Sequence, residues 1–147
     1  LVQRIAFLKA VLLFAQLSGT DLLPIAEACD ARCFAPGETI FVKGAPGDAL
    51  YVVMAGAVDI VREGAVLNTL GQRECFGEIA VLDMAPRTAS AVAASAVECL
   101  VLTADRFRRI VKENGEIGLA VMRVLTDRMR QATEREAFLR TTTNHGR

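Results

Sequence analysis

The chain has 147 residues, 52% of them apolar, and its 17 basic residues balance 17 acidic ones. That is enough for one domain with a substantial core, and a net charge of zero gives no field to draw in nucleic acid, nor does any cluster read as a basic recognition helix. The longest apolar runs, such as Ile5 to Phe14 and Ala91 to Val97, are interrupted by lysine or too short to cross a bilayer, and no basic leader precedes a cleavable apolar core, so a cytoplasmic setting is expected.

In chain order, Gln3 to Gln16 has helical spacing, with Ile5, Leu8, Leu12 and Ala15 on one face. Ser18 or Thr20 can cap a second helix through Cys29, with Pro24 expected in its first turn. From Ala31 to Thr103 the texture changes to short runs of valine, isoleucine and phenylalanine punctuated by Gly37, Gly44, Gly47, Gly56, Gly64 and Gly71. Turn signals at that interval predict a mainly β fold with flanking helices, an antiparallel barrel or jelly roll. Arg62-Glu63-Gly64-Ala65 reads as a hairpin tip, and strands are expected over Thr88–Ala93 and Glu98–Leu102. The small side chains Ala91, Ala93 and Ala94 are expected to be a tightly packed strand face. Thr103 can cap a helix over Ala104–Lys112, and Asn114-Gly115 supplies a break before a longer helix from about Glu116 to Arg140. In that helix Met122, Leu125, Met129, Ala132 and Leu139 form a partial heptad interrupted by Glu136, which can pair two chains over 116–140 or fold back onto the barrel.

The chemistry concentrates in residues 76–89. Gly77 lets the main chain approach a ligand closely, and Glu-Ile-Ala-Val-Leu after it can form one helical turn whose free N–H groups face an anion. The planar fork of Arg87 matches two phosphate oxygens better than a lysine does. A bare phosphate site has no use for Glu78, because a carboxylate near an anion is repulsive unless a donor on the ligand occupies it. A ribose hydroxyl is such a donor, so a ligand joining a ribose hydroxyl to a singly charged phosphate accounts for both residues. The alternative is that Glu78 and Arg87 pair with each other on a solvated surface.

Phe76-Gly77-Glu78-Ile79-Ala80 followed by Pro86-Arg87-Thr88-Ala89 resembles the phosphate-binding cassette of the cyclic nucleotide-binding domain family, and the interval between the halves resembles the kinase and channel members most. The resemblance continues through Leu8–Phe14 with Leu17-Ser18, through Pro36–Phe41, and through Gly44–Val53 closing on Gly56. It implies a jelly-roll β-barrel with N-terminal helices and a C-terminal helical lid. It also implies that Glu78 holds a ribose 2′-hydroxyl, that Arg87 holds a cyclic phosphate, and that the amides of Gly77, Ile79, Ala80 and Ala89 line the pocket, with Phe76 and Pro86 in the same cassette. Thr88 permits cGMP without requiring it, cAMP is favoured on family grounds, and Thr133 matches a position that meets the purine in activator-type members.

One domain is expected over 1–147: helices over 1–30, the barrel over 31–103 with its cassette at 76–89, helices over 104–140, and a polar, flexible tail over 141–147. Leu1 is not a methionine, so an excised domain is expected, with its effector elsewhere in the full protein. The expected function is a regulatory sensor for a 3′,5′-cyclic purine nucleotide, without enzymatic activity, cofactor or metal. Two alternatives are the sensory half of a Crp/Fnr-like transcription regulator and a degenerate interaction module that no longer binds nucleotide. Cys29 and Cys33 are wrongly spaced for a zinc knuckle, Cys75 and Cys99 are isolated, and the sole histidine, His145, lies near the end. Reduced cysteines serving as small apolar side chains are the expected reading.

Overall fold

A computed structural model describes the backbone of residues 1–145 and the side chains of residues 1–139. Helix α1 (Val2–Lys9) and a short 3-10 turn, η1 (Leu12–Phe14), precede α2 (Gly19–Ala28). Eight strands follow: β1 (Asp30–Phe34), β2 (Thr39–Phe41), β3 (Ala49–Ala55), β4 (Val58–Arg62), β5 (Ala65–Leu70), β6 (Cys75–Phe76), β7 (Ser90–Ala93) and β8 (Val97–Thr103). Helix α3 (Glu78–Asp83) interrupts them after β6, and α4 (Ala104–Glu113) and α5 (Gly115–His145) close the chain. The pairing is antiparallel throughout, in two four-stranded sheets of order β1-β8-β3-β6 and β2-β7-β4-β5. The predicted jelly roll with flanking helices is therefore present, as two sheets that are not closed into a barrel.

The alternation of strand side chains divides the core into two layers. Tyr51, Val53, Cys99 and Val101 on one face of β3 and β8 join Phe34, Phe76, Val58, Ala91 and Ala93 between the sheets. Leu50, Val52, Leu100 and Leu102 on the other face meet Leu8, Phe14, Ile25, Phe107 and Ile117 from the helices. Both faces of β3 are thus covered, which is why it reads as a continuous apolar run rather than an alternating one. Ala91 and Ala93 are packed as expected, whereas Ala94 is exposed.

The predicted caps are in place. The Ser18 hydroxyl accepts from the Asp21 amide at 3.2 Å and the Thr103 hydroxyl from the Arg106 amide at 3.3 Å. The hairpin tip joins Arg62 to its partner Ala65 through Glu63 and Gly64, both left-handed (φ 54° and 78°).

Three boundaries differ from expectation. The first helix stops at Lys9 instead of reaching Gln16, and Val11 is extended (φ −80°, ψ 127°). Four consecutive apolar residues cannot share one helical face, and the break buries Val11, Leu13 and Phe14 while leaving only Leu12 outside. Pro24 lies inside α2, beyond its first turn. At the other end α5 continues through His145, past the predicted limit at Arg140, so residues 141–145 are helical, while residues 146 and 147 of the predicted tail lie outside the described residues.

Candidate functional site

Gly77 is the N-cap of α3 and adopts a left-handed backbone (φ 79°), which turns the chain sharply out of β6. A Cβ there would stand 2.6 Å from Arg87 Nη1 and 3.3 Å from the Ala49 carbonyl oxygen, so only glycine leaves room for the guanidinium. Arg87 itself is 3% exposed and fixed at its backbone: its amide donates to the Ala45 carbonyl and its carbonyl accepts from the Gly44 amide, each at 2.8 Å. Its Nη1 donates to the Gly77 carbonyl at 2.7 Å, and its Nη2 donates to the Ala49 carbonyl at 2.5 Å and approaches Asp48 Oδ1 at 3.5 Å. The guanidinium carbon lies 4.1 Å from the centre of the Phe41 ring, which is tilted against the stacked pair of Tyr51 and Phe76. Arg87 Nε is buried and has no acceptor among the described residues. A buried donor of that kind is costly to leave unmet, and an anionic oxygen in the adjoining cavity would satisfy it.

Glu78, the first residue of α3, is 8% exposed. Burial pushes its carboxyl above the ordinary carboxylate value, and its own amide, Arg128 and Arg87 oppose that rise. Its Oε1 lies 3.7 Å from Arg128 Nη1 of α5. Glu78 and Arg87 therefore do not pair with each other on a solvated surface: each has a different ionic partner and both are buried.

Both residues line one cavity of about 560 Å³, together with Phe76, Gly77, Ile79, Ala80, Thr88 and Ala89. The remaining two expected site residues lie elsewhere. Pro86 makes an isolated β-bridge with Pro46, which clamps the loop before β3 to the segment before β7. Thr133 does not reach the cavity; its hydroxyl donates to the Met129 carbonyl at 3.0 Å on the exposed side of α5. Further wall comes from Phe41, Asn68, Leu70, Arg73, Cys75 and Arg128, which sequence reasoning did not include. For Arg128 a signal existed. Ile117, Val121 and Val124 are the buried stripe of α5, and Arg128 is the next position along it. The heptad reading followed a neighbouring stripe, whose Met122 and Met129 are 60% and 72% exposed.

Cys29 and Cys99 are buried and their thiols are pushed up to about 11 and about 12 by desolvation, as suits apolar packing. Cys33 is exposed and does not fit that expectation. No group of side chains suited to a metal ion occurs among the described residues, and no described helix is long and apolar enough to cross a membrane.

Comparison with known proteins points the same way as this geometry. The chain is 34% identical over 111 residues to the CRP-like cAMP-activated global transcriptional regulator of Mycobacterium tuberculosis, a match covering 72% of this chain and 50% of the regulator. It is 37% identical over 108 residues to the cAMP-dependent protein kinase regulatory subunit of Aspergillus niger, covering 72% of this chain and 26% of the subunit. The chain thus spans about half the length of the first relative and about a quarter of the second. The N-terminal domain of a transcriptional regulator from Streptomyces coelicolor A3(2) superposes with a TM-score of 0.79 at 30% identity, covering 88% of this chain and 94% of that one. A family model described as the cyclic nucleotide-binding domain matches residues 31–114, from β1 to the end of α4, and so takes in every strand and the Gly77–Glu78–Arg87 cradle; this chain belongs to the cyclic nucleotide-binding domain family.

Proposed function

We propose that the chain is a sensor domain for a 3′,5′-cyclic purine nucleotide, with cAMP the favoured ligand and cGMP admissible. The observation that carries this is a buried arginine and a buried glutamate on the wall of one cavity, the arginine with a donor still unmet. The cyclic phosphate takes the place beside Arg87 and the amides at the start of α3, where positive charge and free N–H groups favour an anion. The ribose 2′-hydroxyl donates to Glu78. The carboxylate then exchanges part of its interaction with Arg128 for one with the ligand, and the occupancy of the cavity is felt by α5. Binding can shift α5 only to the extent that the nucleotide prefers one placement of that helix over another. The names of the relatives favour cAMP.

The effector belongs to the longer protein in this reading. Likeness to the N-terminal domain of a transcriptional regulator over 94% of that chain favours a DNA-binding effector, as in a Crp/Fnr-like regulator. A purely degenerate interaction module has no use for the unmet donor of Arg87.

Calorimetric titration of the ligand-stripped chain tests the site. Uptake of cAMP, cGMP or both is expected, weakened at least about tenfold in Arg87→Ala and less in Glu78→Ala. Arg87→Lys, which keeps the charge but not the fork, separates loss of binding from loss of fold and should also bind more weakly. A folded wild-type chain that takes up neither nucleotide at millimolar concentration overturns the assignment.

A further inference from the structure

Helix α5 leaves α4 at a joint that is tied to the beginning of the chain. Asn114 ends α4, its amide donating to the Ile110 carbonyl at 2.9 Å, and its backbone is extended (φ −142°, ψ 93°). Its side-chain amide works in two directions. Oδ1 accepts from the Glu116 amide at 3.2 Å and so caps the first turn of α5, while Nδ2 donates to Asp21 Oδ1 at 3.3 Å, across 93 positions of chain. A cap needs only the oxygen, which serine, threonine or aspartate would also supply. The nitrogen finds its use in Asp21.

Asp21 belongs to a helix that is anchored along its length. Leu22, Ile25 and Ala26 of α2 are fully buried. Its first turn is capped by Ser18, and its last carbonyls receive side chains from α4 and α1: Arg106 Nη1 donates to Ala28 at 2.8 Å, and Arg4 Nη1 donates to Ala26 and Cys29 at 3.1 and 3.0 Å. On the other side of the joint, a Cβ at Gly118 would stand 2.8 Å from Val111 Cγ1, so the missing side chain lets α5 lie close against α4. The hydrogen bond to α2 and this close approach together set the direction in which α5 starts. Arg128 is about 20 Å further along the helix, so a swing of about 10° at the joint displaces it by about 3.5 Å. That is enough to carry its guanidinium out of ion-pair reach of Glu78, which it meets at 3.7 Å.

Resting on the cyclic-nucleotide site proposed above, we propose that the Asn114–Asp21 hydrogen bond is an autoinhibitory tie: it holds α5 where Arg128 occupies the Glu78 carboxylate, in competition with the ribose hydroxyl. Arg128 and Glu78 line the same cavity, so helix and ligand contend for one acceptor. A nucleotide that takes Glu78 works against the tie, and its affinity is reduced accordingly. Breaking the tie should therefore tighten binding, the opposite of what general damage to the fold would do.

Calorimetric titration with cAMP of the wild type, Asn114→Asp and the exchange Asn114→Asp with Asp21→Asn tests this. Asn114→Asp keeps an oxygen to cap α5 but sets a carboxylate against Asp21; the exchange restores one donor and one acceptor with their places reversed. The single variant should lower the Kd at least about threefold, and the exchange should return it to the wild-type value. Asp21→Ala, which removes only the acceptor, should act like Asn114→Asp and stands in for it should that variant not fold. In an Arg128→Gln background the same substitutions should leave the Kd unmoved, because the tie acts through that side chain. A Kd unchanged or raised in the folded single variants, a gain that the exchange does not reverse, or a gain that persists without Arg128 overturns the inference and leaves the cyclic-nucleotide site standing. Failure of the wild type to bind either cAMP or cGMP removes that site and the inference together.

Discussion

At the scale of single residues, Glu78 is a carboxylate held where water scarcely reaches it, and that placement has a pH signature. Its folded value is raised, chiefly by desolvation, so between the ordinary carboxyl value and the raised one the native chain keeps a proton that the unfolded chain has released. The stability this contributes is fully present below the ordinary value and is lost as pH rises through the folded value. Denaturant melts of the ligand-free chain across the mildly acidic range should therefore show wild type losing ground to Glu78→Gln as pH increases. Parallel curves for the two proteins would mean that Glu78 titrates normally. That Glu78 and Arg87 share one cavity was legible in the sequence, because their residue types and spacing around Gly77 already point to a common ligand. Arg128 was legible only along the stripe of Ile117, Val121 and Val124, which the heptad reading passed over, and Arg73 was not legible at all, because its place depends on a turn folding back against β3 that local spacing does not express.

At the scale of elements, α3 and the glycine that starts it hold the site together. Gly77→Ala forces an ordinary side chain into left-handed geometry, a backbone cost of about 1–2 kcal/mol, and drives its Cβ against the guanidinium of Arg87. Urea denaturation should register the lower stability, and calorimetry should show cyclic-nucleotide binding weakened along with it. Undiminished binding in the variant would show that the guanidinium does not need its place beside the Gly77 carbonyl. Most elements were readable from local rules, since caps, the hairpin tip and the glycine-marked strands each carry their own stereochemistry. The end of α1 was not, because the break at Val11 is imposed by the demand to bury Leu13 and Phe14 against the distant strands β3 and β8. The same holds for Pro24, which sits in a helix that tertiary packing maintains in spite of a missing backbone donor.

At the scale of the whole molecule, the two sheets and the two core layers form a fixed body, and α5 departs from it. Ile117, Val121 and Val124 bind the helix to that body, while Leu119, Met122 and Met129 face outward, with Arg123 and Arg130 beside them. An outward apolar row on a long helix suits pairing with a second copy. Sedimentation should accordingly show a dimer that Met122→Glu with Met129→Glu converts to monomer; unchanged sedimentation of the double variant would assign the row to another surface. Within one chain, the main supports of α5 are α4 and the 3-10 turn near the beginning of the sequence, rather than either sheet. A tilt of this lever therefore loads the 3-10 turn and the helix α1 packed beside it, so reporters placed on α1 and on α5 share one balance and are not independent witnesses of it.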